Sequence, residues 1–231
     1  MTSTVAGRGR AEARALAEAL ALYRDAPLPV RLHVQARHWL CPLVPIAQHV
    51  PPVGRVLDVG CGHGLFGNLL ALASPRRSIH GVDPMPAKIA AARRAARALP
   101  NATYAVGTAA TVSDGPYDVV TILDVLYLLP PAEKRALLER CRRLLAPEGL
   151  LLLKTNDRTP RWKYLWTYTE EALMTRLGLT RGAGLFFFDT AQHCALLAEA
   201  GFRARVVRLD TWLPYPHVLF VARPARQAGP A

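Results

Sequence analysis

The stretch LDVGCGHGLFG (Leu57–Gly67) holds four glycines in eleven residues and follows directly on an apolar run. A strand, a glycine-rich turn and a helix in this order are typical of nucleotide sites at the carboxyl end of a parallel sheet. Gly60, Gly62 and Gly64 form a G-x-G-x-G pattern, whereas a dinucleotide fingerprint needs its last glycine where Leu65 stands. No G-K-S or G-K-T sequence follows, as a P-loop would require. The spacing therefore argues against sites for NAD and for ATP.

Two carboxylates accompany this glycine loop. Asp58 lies at the buried end of the strand before the loop, where an ionised side chain is costly unless it has partners. Asp83 ends the next strand, 19 residues after Gly64, where a carboxylate can accept hydrogen bonds from ribose hydroxyls. Either residue alone could be a helix cap or a loop anchor. Together with the glycine pattern they indicate a bound nucleoside, and Asp58 could also meet a cationic part of the ligand.

Strands and helices alternate around and beyond the loop. The strands read as almost continuous apolar runs, which is typical of a mostly parallel sheet covered on both faces. Helices are predicted between them, including one that starts at Pro86. The predicted strands are Arg55–Gly60, Ser78–Asp83, Ala102–Gly107, Tyr117–Asp124 and Gly149–Thr155, followed by RARVVRL (203–209) and HVLFVAR (217–223).

The segments outside this alternation are predicted to be helical or irregular. An amphipathic helix is expected over about residues 9–24, and a second one over Arg31–His49, kinked or broken near Pro42 and Pro45. We predict a helical cap over residues 1–52, an α/β domain over 53–224 and a frayed tail over 225–231.

After Thr155 the alternation stops and an aromatic-rich insert follows, which we predict to form a lid over residues 156–188 with a helix near Trp162–Leu177. The pair Asp189 and Gln192 has the spacing of a capping box, which predicts that the next helix, TAQHCALLAEAG, starts there. Gly201 is predicted to end that helix.

Four motifs together resemble the class I S-adenosylmethionine-dependent methyltransferases. They are VLDVGCGHGLFG (56–67), GVDP (81–84), YDVVTILDVLYLLP (117–130) and LLAPEGLLLLK (144–154). The resemblance covers about residues 54–155. It implies a Rossmann-like, doubly wound, mostly parallel α/β sheet of seven strands in the order 3-2-1-4-5-7-6, with the last strand antiparallel.

The resemblance also implies which residues surround S-adenosylmethionine. Thr108 stands where many members of the family carry an acid. The implied residues are Asp58, Gly60, Cys61, Gly62 and Gly64 around the methionine part, Asp83 and Pro84 at the ribose, Met85 on the adenine, Thr108 and Ala109 at the adenine edge, and Asp124 at the end of the fourth strand.

The methyl acceptor is predicted to be a small or lipid-like molecule, methylated at O, N or C. Enzymes of the family that methylate exocyclic amines of nucleic acids carry an N/D-P-P-Y/F motif after the fourth strand, whereas this chain reads LDVLYLL (123–129). No metal is expected. The candidate catalytic residues are Asp124, Tyr127, His193 and His217, and the candidate substrate residues are Arg37, Lys154, Trp162, Lys163, Tyr164 and Tyr215.

Composition predicts a cytoplasmic protein, and the charge leaves its partners open. The 231 residues carry a net charge of +12, and only four of the 29 basic residues are lysines. The positive charge could therefore reflect peripheral contact with the inner face of an anionic membrane, an RNA substrate, or composition alone. An RNA methyltransferase and a non-catalytic cofactor-binding module are the alternatives to a small-molecule enzyme. The four cysteines have no CxxC spacing, which argues against a zinc site.

Overall fold

A computed structural model of the chain describes residues 5–176, 184–209 and 214–225. The contacts within the chain define two compact units that divide after Thr121. The helices are α1 (Val5–Ala21), α2 (Leu28–Leu40), α3 (Leu43–Ala47), α4 (Leu65–Ala73), α5 (Pro86–Ala95), α6 (Pro131–Leu144), α7 (Arg161–Arg176) and α8 (Thr190–Glu199). The strands are β1 (Gly54–Val59), β2 (Arg77–Asp83), β3 (Ala102–Val106), β4 (Tyr117–Leu123), β5 (Leu145–Asn156), β6 (Phe202–Arg208) and β7 (His217–Pro224).

The strands form one seven-stranded sheet in the order β3-β2-β1-β4-β5-β7-β6. Strand β2 runs parallel to β1 and β3, while β7 runs antiparallel to its neighbours β5 and β6. The predicted sheet is therefore confirmed. Because parallel strands end at the same edge of a sheet, Asp58 near the end of β1 and Asp83 at the end of β2 come to that edge together.

The outer strand β6 is polar and mostly exposed, unlike the buried strands in the middle of the sheet. Its outward residues include Arg203 and Arg205. Charged side chains on an edge strand disfavour pairing with the edge of another molecule. Arg203 and Arg205, together with Arg208 at the end of the strand, can thus be explained by the position of β6 at the edge of the sheet.

The bounds of several predicted elements differ from the structure. The helix expected over Arg31–His49 is broken near Pro42 as predicted, since Pro42 has no amide hydrogen to continue α2, but α2 begins earlier than expected, at Leu28. The fifth strand begins at Leu145 rather than Gly149, because the chain enters β5 directly from α6. The predicted insert helix is α7, and its expected last residue, Leu177, lies outside the described residues, as do 210–213 of the last turn and 226–231 of the tail.

The predicted capping box at the start of α8 is confirmed. The Asp189 carboxylate accepts the amide hydrogen of Gln192 at 2.8 Å, and the Gln192 side chain accepts that of Asp189 at 2.9 Å. Within the part of the chain that the structure describes, no helix is both long enough and apolar enough to span a bilayer.

Candidate active site

The glycine loop after β1 has a backbone that requires glycine. Gly60, Gly62 and Gly64 have φ angles of 73°, 56° and 81°, in the left-handed region that other residues rarely occupy. A Cβ on Gly64 would lie 2.9 Å from the Tyr104 ring, whereas a Cβ on Gly62 would meet nothing within 4 Å. The loop is thus packed against the protein at Gly64 and open at Gly62.

Asp83 connects this loop to the loop that follows β2. Its Oδ2 accepts the amide hydrogen of Gly62 at 3.0 Å, and its Oδ1 accepts that of Met85 at 2.9 Å. The side chain is buried. An ionised carboxylate has about four acceptor positions, so these two bonds leave lone pairs for further donors such as ribose hydroxyls.

Asp58 is a buried carboxylate beside the same loop. The Thr121 hydroxyl donates a hydrogen bond to its Oδ1 at 2.6 Å. The pKa of Asp58 is raised to about 6, mainly by burial and also by the negative charge of Asp83, while the bond from Thr121 and the positive charge of Arg37 act in the opposite direction. A cationic group bound nearby would stabilise the ionised form of this carboxylate.

A buried polar network behind the loop holds its carbonyl groups. Tyr23 donates a hydrogen bond to the His63 carbonyl at 2.6 Å, and the Asn68 amide donates to the Tyr23 hydroxyl at 3.0 Å. The Tyr104 hydroxyl lies 2.8 Å from Asn68 Oδ1 and 3.1 Å from the Gly64 carbonyl. Tyr23, the second residue after α1, is therefore tied to the glycine loop.

Sequence reasoning missed this network, although one signal for it exists. Gly67 on α4 and Gly81 on β2 leave the space that the Tyr104 side chain fills. A Cβ on Gly67 would lie 2.5 Å from the Tyr104 hydroxyl oxygen, and one on Gly81 would lie 2.4 Å from the ring. Two glycines beyond the G-x-G-x-G pattern thus indicate a large side chain between strand and helix.

His63, which the motif leaves unassigned, packs against His33 of α2. The two ring centroids are 4.6 Å apart. Burial lowers the pKa of both rings to about 4, and the positive charge of Lys88 adds to this effect. Both rings are thus neutral at pH 7, and they join α2 to the glycine loop.

The other residues predicted around the cofactor lie along the ends of the first three strands. Met85 is half-buried at the start of α5, and Ala109 is buried. The Thr108 hydroxyl accepts the amide hydrogen of Ala110 at 3.3 Å and so caps a single turn of 3-10 helix. Cys61 is half-buried and Pro84 is exposed. The first unit therefore brings together the predicted residues from Asp58 to Ala109.

In the second unit, four polar residues form a chain across the ends of β4, β5 and β7. Asp124 has a φ of 60°, an unusual angle for a residue other than glycine, and follows β4 directly. Lys154 Nζ lies 2.5 Å from Asp124 Oδ1 and 3.5 Å from Asn156 Oδ1. Asn156 Oδ1 in turn lies 2.9 Å from His217 Nδ1. Asp124 and Lys154 were predicted site residues, and Asn156 joins them through its contacts with Lys154 and His217.

The position of Lys154 indicates which ring nitrogen of His217 carries a hydrogen. A lysine ammonium only donates, so it faces the oxygen of the Asn156 amide, and that oxygen can bond to His217 only if Nδ1 carries a hydrogen. In the neutral ring, the lone pair is then on Nε2. The predicted substrate residue Tyr215 stacks on the same ring, with centroids 5.5 Å apart and planes inclined by 8°.

The aromatic residues of the insert divide into two groups. Phe187 stacks on Tyr127, with centroids 4.7 Å apart, and Tyr164 meets Phe187 edge-on at 5.6 Å. This aromatic cluster (Tyr127, Tyr164, Phe187) is held by the bond from the Phe186 amide to the Tyr127 carbonyl. The predicted substrate residue Trp162 belongs to the other group, because it lies exposed on the outer side of α7.

The remaining candidates have different surroundings. His193 is buried between the rings of Phe188 and Phe220, and burial lowers its pKa to about 4, so a packing role suits it better than proton transfer. Lys163 is buried on α7. Arg37 belongs to the first unit, where its charge acts on Asp58. The second unit thus brings Asp124, Lys154, Tyr215 and His217 together.

Comparison with known proteins identifies the family. A family model described as a methyltransferase domain matches residues 30–207, which is more than half of the chain. The chain belongs to this family, and its sheet order places it among the class I S-adenosylmethionine-dependent methyltransferases. Residues 30–207 are accordingly a methyltransferase domain of the class that uses S-adenosylmethionine, and the chain spans 58% of the length of the first relative described below.

Curated relatives and solved structures agree with this class. The chain is 31% identical over 156 residues to a ubiquinone biosynthesis O-methyltransferase of Psychrobacter arcticus, covering 64% of this chain and 58% of the relative. It is 30% identical over 166 residues to the protein of that name from Pseudomonas aeruginosa, covering 69% of each. The fold matches an O-methyltransferase family protein from Burkholderia thailandensis with a TM-score of 0.69 at 17% identity, over 89% of this chain and 62% of the other.

The residues of the first unit suit S-adenosylmethionine. The buried Asp58 carboxylate, whose pKa is raised by burial, fits the ammonium group of the cofactor. Asp83 keeps lone pairs for ribose hydroxyls, and the open side of Gly62 admits a ligand close to the backbone. These residues therefore match the cofactor that the family uses.

The raised pKa of Asp58 predicts a pH-dependent penalty on stability. The pKa of Asp58 is about 6 in the folded protein, and its ordinary value is 3.8. At a pH between these two values, the folded state therefore keeps a proton that the unfolded chain has lost. The stability due to the neutral form is present below about pH 4 and is lost as the pH rises through 6. Asp58→Asn keeps the bond from Thr121 and removes the charge. Without cofactor, we expect the variant to be more stable than the wild type by roughly 2 kcal/mol at pH 8, and similar to it at pH 4.

Urea unfolding of the cofactor-free protein at pH 4, 6 and 8 measures this difference. Thr121→Val is the matched control, because it removes the partner and leaves the carboxylate in place; it should destabilise the protein most at pH 8. A difference between Asp58→Asn and the wild type that stays constant over this pH range would contradict the buried, ionised state of Asp58.

Proposed function

We propose that the protein transfers a methyl group from S-adenosylmethionine to a hydroxyl oxygen of a small, largely apolar acceptor. The observation that carries the proposal is the pair of carboxylates, Asp58 and Asp83, beside the glycine loop. These carboxylates are the acceptors that the ammonium group and the ribose hydroxyls of the cofactor need. The names of the curated relatives, which are O-methyltransferases of ubiquinone biosynthesis, support an oxygen acceptor.

The residues of the first unit bind and orient the cofactor in this proposal. Asp58 pairs with the ammonium group, Asp83 accepts hydrogen bonds from the ribose, and Met85 packs on the adenine beside Ala109. The bound cofactor supplies the methyl group as an electrophilic sulfonium. The chain's own part is to hold the acceptor oxygen in line with that methyl and to exclude water.

The second unit offers a surface for the acceptor and a base for its proton. The aromatic cluster around Phe187 suits a flat or apolar molecule. We assign the base to His217, because its neutral ring has the lone pair on Nε2, where it can accept a hydroxyl proton. Lys154 and Asn156 are positioning residues in this proposal, since the Asn156 oxygen accepts the Nδ1 hydrogen and so fixes this form of the ring.

The acceptor class can be tested with cell extract divided into lipid, small-molecule and RNA fractions. The purified protein and S-adenosylmethionine labelled in the methyl group are added to each fraction. Label in the lipid or small-molecule fraction is the expected result. Label in RNA would establish the alternative suggested by the net charge of +12. Calorimetric binding of the cofactor with no label in any fraction would point to a non-catalytic module.

The two histidine candidates can be separated by substitution. His217→Gln keeps a donor toward Asn156 and removes the basic nitrogen, so we expect it to lower label incorporation while cofactor affinity stays unchanged. His193→Gln is the matched control, because His193 is equally buried but packs between phenylalanine rings. Equal incorporation by His217→Gln and the wild type from pH 6 to pH 9 would rule out the assignment.

A further inference from the structure

Helix α7 exposes an apolar stripe to solvent. Its members are more than half exposed: Trp162 at 59%, Leu165 at 54%, Trp166 at 55% and Leu173 at 54%. The spacing of three, one and seven residues places them on one side of the helix. Thr167, on the other side, is 1% exposed. The helix is therefore fixed to the protein by one face and turns this α7 stripe outward.

Basic residues accompany the stripe. Arg161 and Arg176 are exposed at the two ends of α7, and Arg158 precedes the helix. Between positions 158 and 176 the sequence holds four basic residues and two glutamates, within a chain of net charge +12. Tryptophan and leucine on an exposed helix face with arginine at its margins are the composition of helices that lie in a membrane interface. Tryptophan favours that depth of the bilayer because its ring is amphipathic.

We propose that the α7 stripe docks the protein on the surface of an anionic lipid bilayer, with α7 lying in the plane of the interface. Trp162, Leu165, Trp166 and Leu173 enter the boundary between headgroups and acyl chains. Arg161 and Arg176 pair with anionic headgroups, a contribution that weakens with salt. The docking does not depend on the proposed methyl transfer, although it would bring the enzyme to acceptors dissolved in the bilayer.

Two other occupants of the stripe fit the structure less well. If α7 paired with α7 of a second copy about a twofold axis, antiparallel packing would bring Arg161 of one copy toward Arg176 of the other, and like charges repel. A function of the stripe in covering the acceptor is also disfavoured. The aromatic residues that pack inward are Tyr164 and Phe187, whereas the two tryptophans face the opposite way.

Sedimentation with vesicles tests the proposal on the full chain. Vesicles of phosphatidylcholine alone are compared with vesicles that contain 30% phosphatidylglycerol (about a third of the lipid is then anionic). We expect binding to the anionic vesicles that declines with added salt, and at least tenfold weaker binding to the neutral ones. Trp162→Ser/Trp166→Ser should weaken the anionic binding by about tenfold or more, because two large apolar side chains no longer enter the interface.

Charge reversals separate the stripe from the overall charge of the protein. Arg161→Glu/Arg176→Glu should abolish most of the binding. Arg94→Glu/Arg97→Glu changes the charge equally at two exposed arginines near the end of α5, and we expect it to leave binding within about twofold of the wild type. Equal loss in both double variants would show that net charge alone drives adsorption, and would overturn the proposal.

Three further outcomes would overturn it. These are no binding to anionic vesicles, a dimer that the Trp162→Ser/Trp166→Ser variant dissociates in lipid-free buffer, and burial of the tryptophans on addition of cofactor without lipid. Calorimetry with S-adenosylhomocysteine is run on every variant. If a variant binds the cofactor but not vesicles, only the docking has failed. If it binds vesicles but not the cofactor, only the proposed function is affected.

Discussion

Lys154→Met is expected to lower the free energy of unfolding by about 3–5 kcal/mol, because it leaves the carboxylate of Asp124 buried without its cation. The Lys154 and Asp124 side chains are 1% and 9% exposed, and their charged atoms lie 2.5 Å apart. The amide hydrogen of Asp124 also bonds to the Lys154 carbonyl at 3.0 Å, so the loss of the ion pair weakens a junction that holds a residue with a φ of 60°. Urea unfolding at pH 7 measures the change.

Two comparisons identify the cause of that loss. Lys154→Met/Asp124→Asn removes both charges, and we expect it to recover more than half of the lost free energy. Arg135→Met removes an exposed arginine that pairs with Glu139 and Glu199, and it should cost no more than about 1 kcal/mol. A loss of that small size for Lys154→Met as well would mean that water reaches the pair.

The cofactor half of the site was predictable because its chemistry is local in sequence. The left-handed turns of Gly60, Gly62 and Gly64 need glycine, and the two carboxylates end adjacent parallel strands. The topology of the sheet then brings short motifs together without further information. The motifs do not include the residues that hold the loop in place. Tyr23 and Tyr104, which hold the loop carbonyls, are distant in sequence from the loop and from each other.

The acceptor half was only partly predictable, because its geometry depends on long-range pairing. Strand β7 runs antiparallel to β5 with His217 opposite Asn156, and this register brings the histidine to the end of β5. Sequence alone offered His193 and His217 as equivalent candidates. Their surroundings separate them: His193 lies between phenylalanine rings, whereas His217 ends a chain of polar residues. The outward face of α7 was likewise invisible in a run of aromatics that suited a lid.

Asp83→Ala should weaken the binding of S-adenosylhomocysteine by about 100-fold. The carboxylate accepts the amide hydrogens of Gly62 and Met85, so its removal frees the glycine loop and the start of α5 together. It also removes the proposed acceptor of the ribose hydroxyls. Hydrogen bonds to a charged group contribute roughly 1.5–3 kcal/mol each. The expected factor corresponds to the loss of one such bond to the ligand together with the loss of order in the glycine loop. Calorimetry measures the affinity.

Asp118→Ala is the control that separates cofactor binding from general loss of structure. Asp118 also accepts a backbone amide hydrogen across the first unit, that of Arg55 at 2.7 Å, but at the beginning of β1 rather than at its end. Both alanine variants should therefore melt at lower temperature, and only Asp83→Ala should lose cofactor affinity. Asp83→Asn keeps one acceptor oxygen and should fall between Asp83→Ala and the wild type. Equal affinity of Asp83→Asn, Asp83→Ala and the wild type would show that the carboxylate serves the fold alone, since the ribose would then have no need of it.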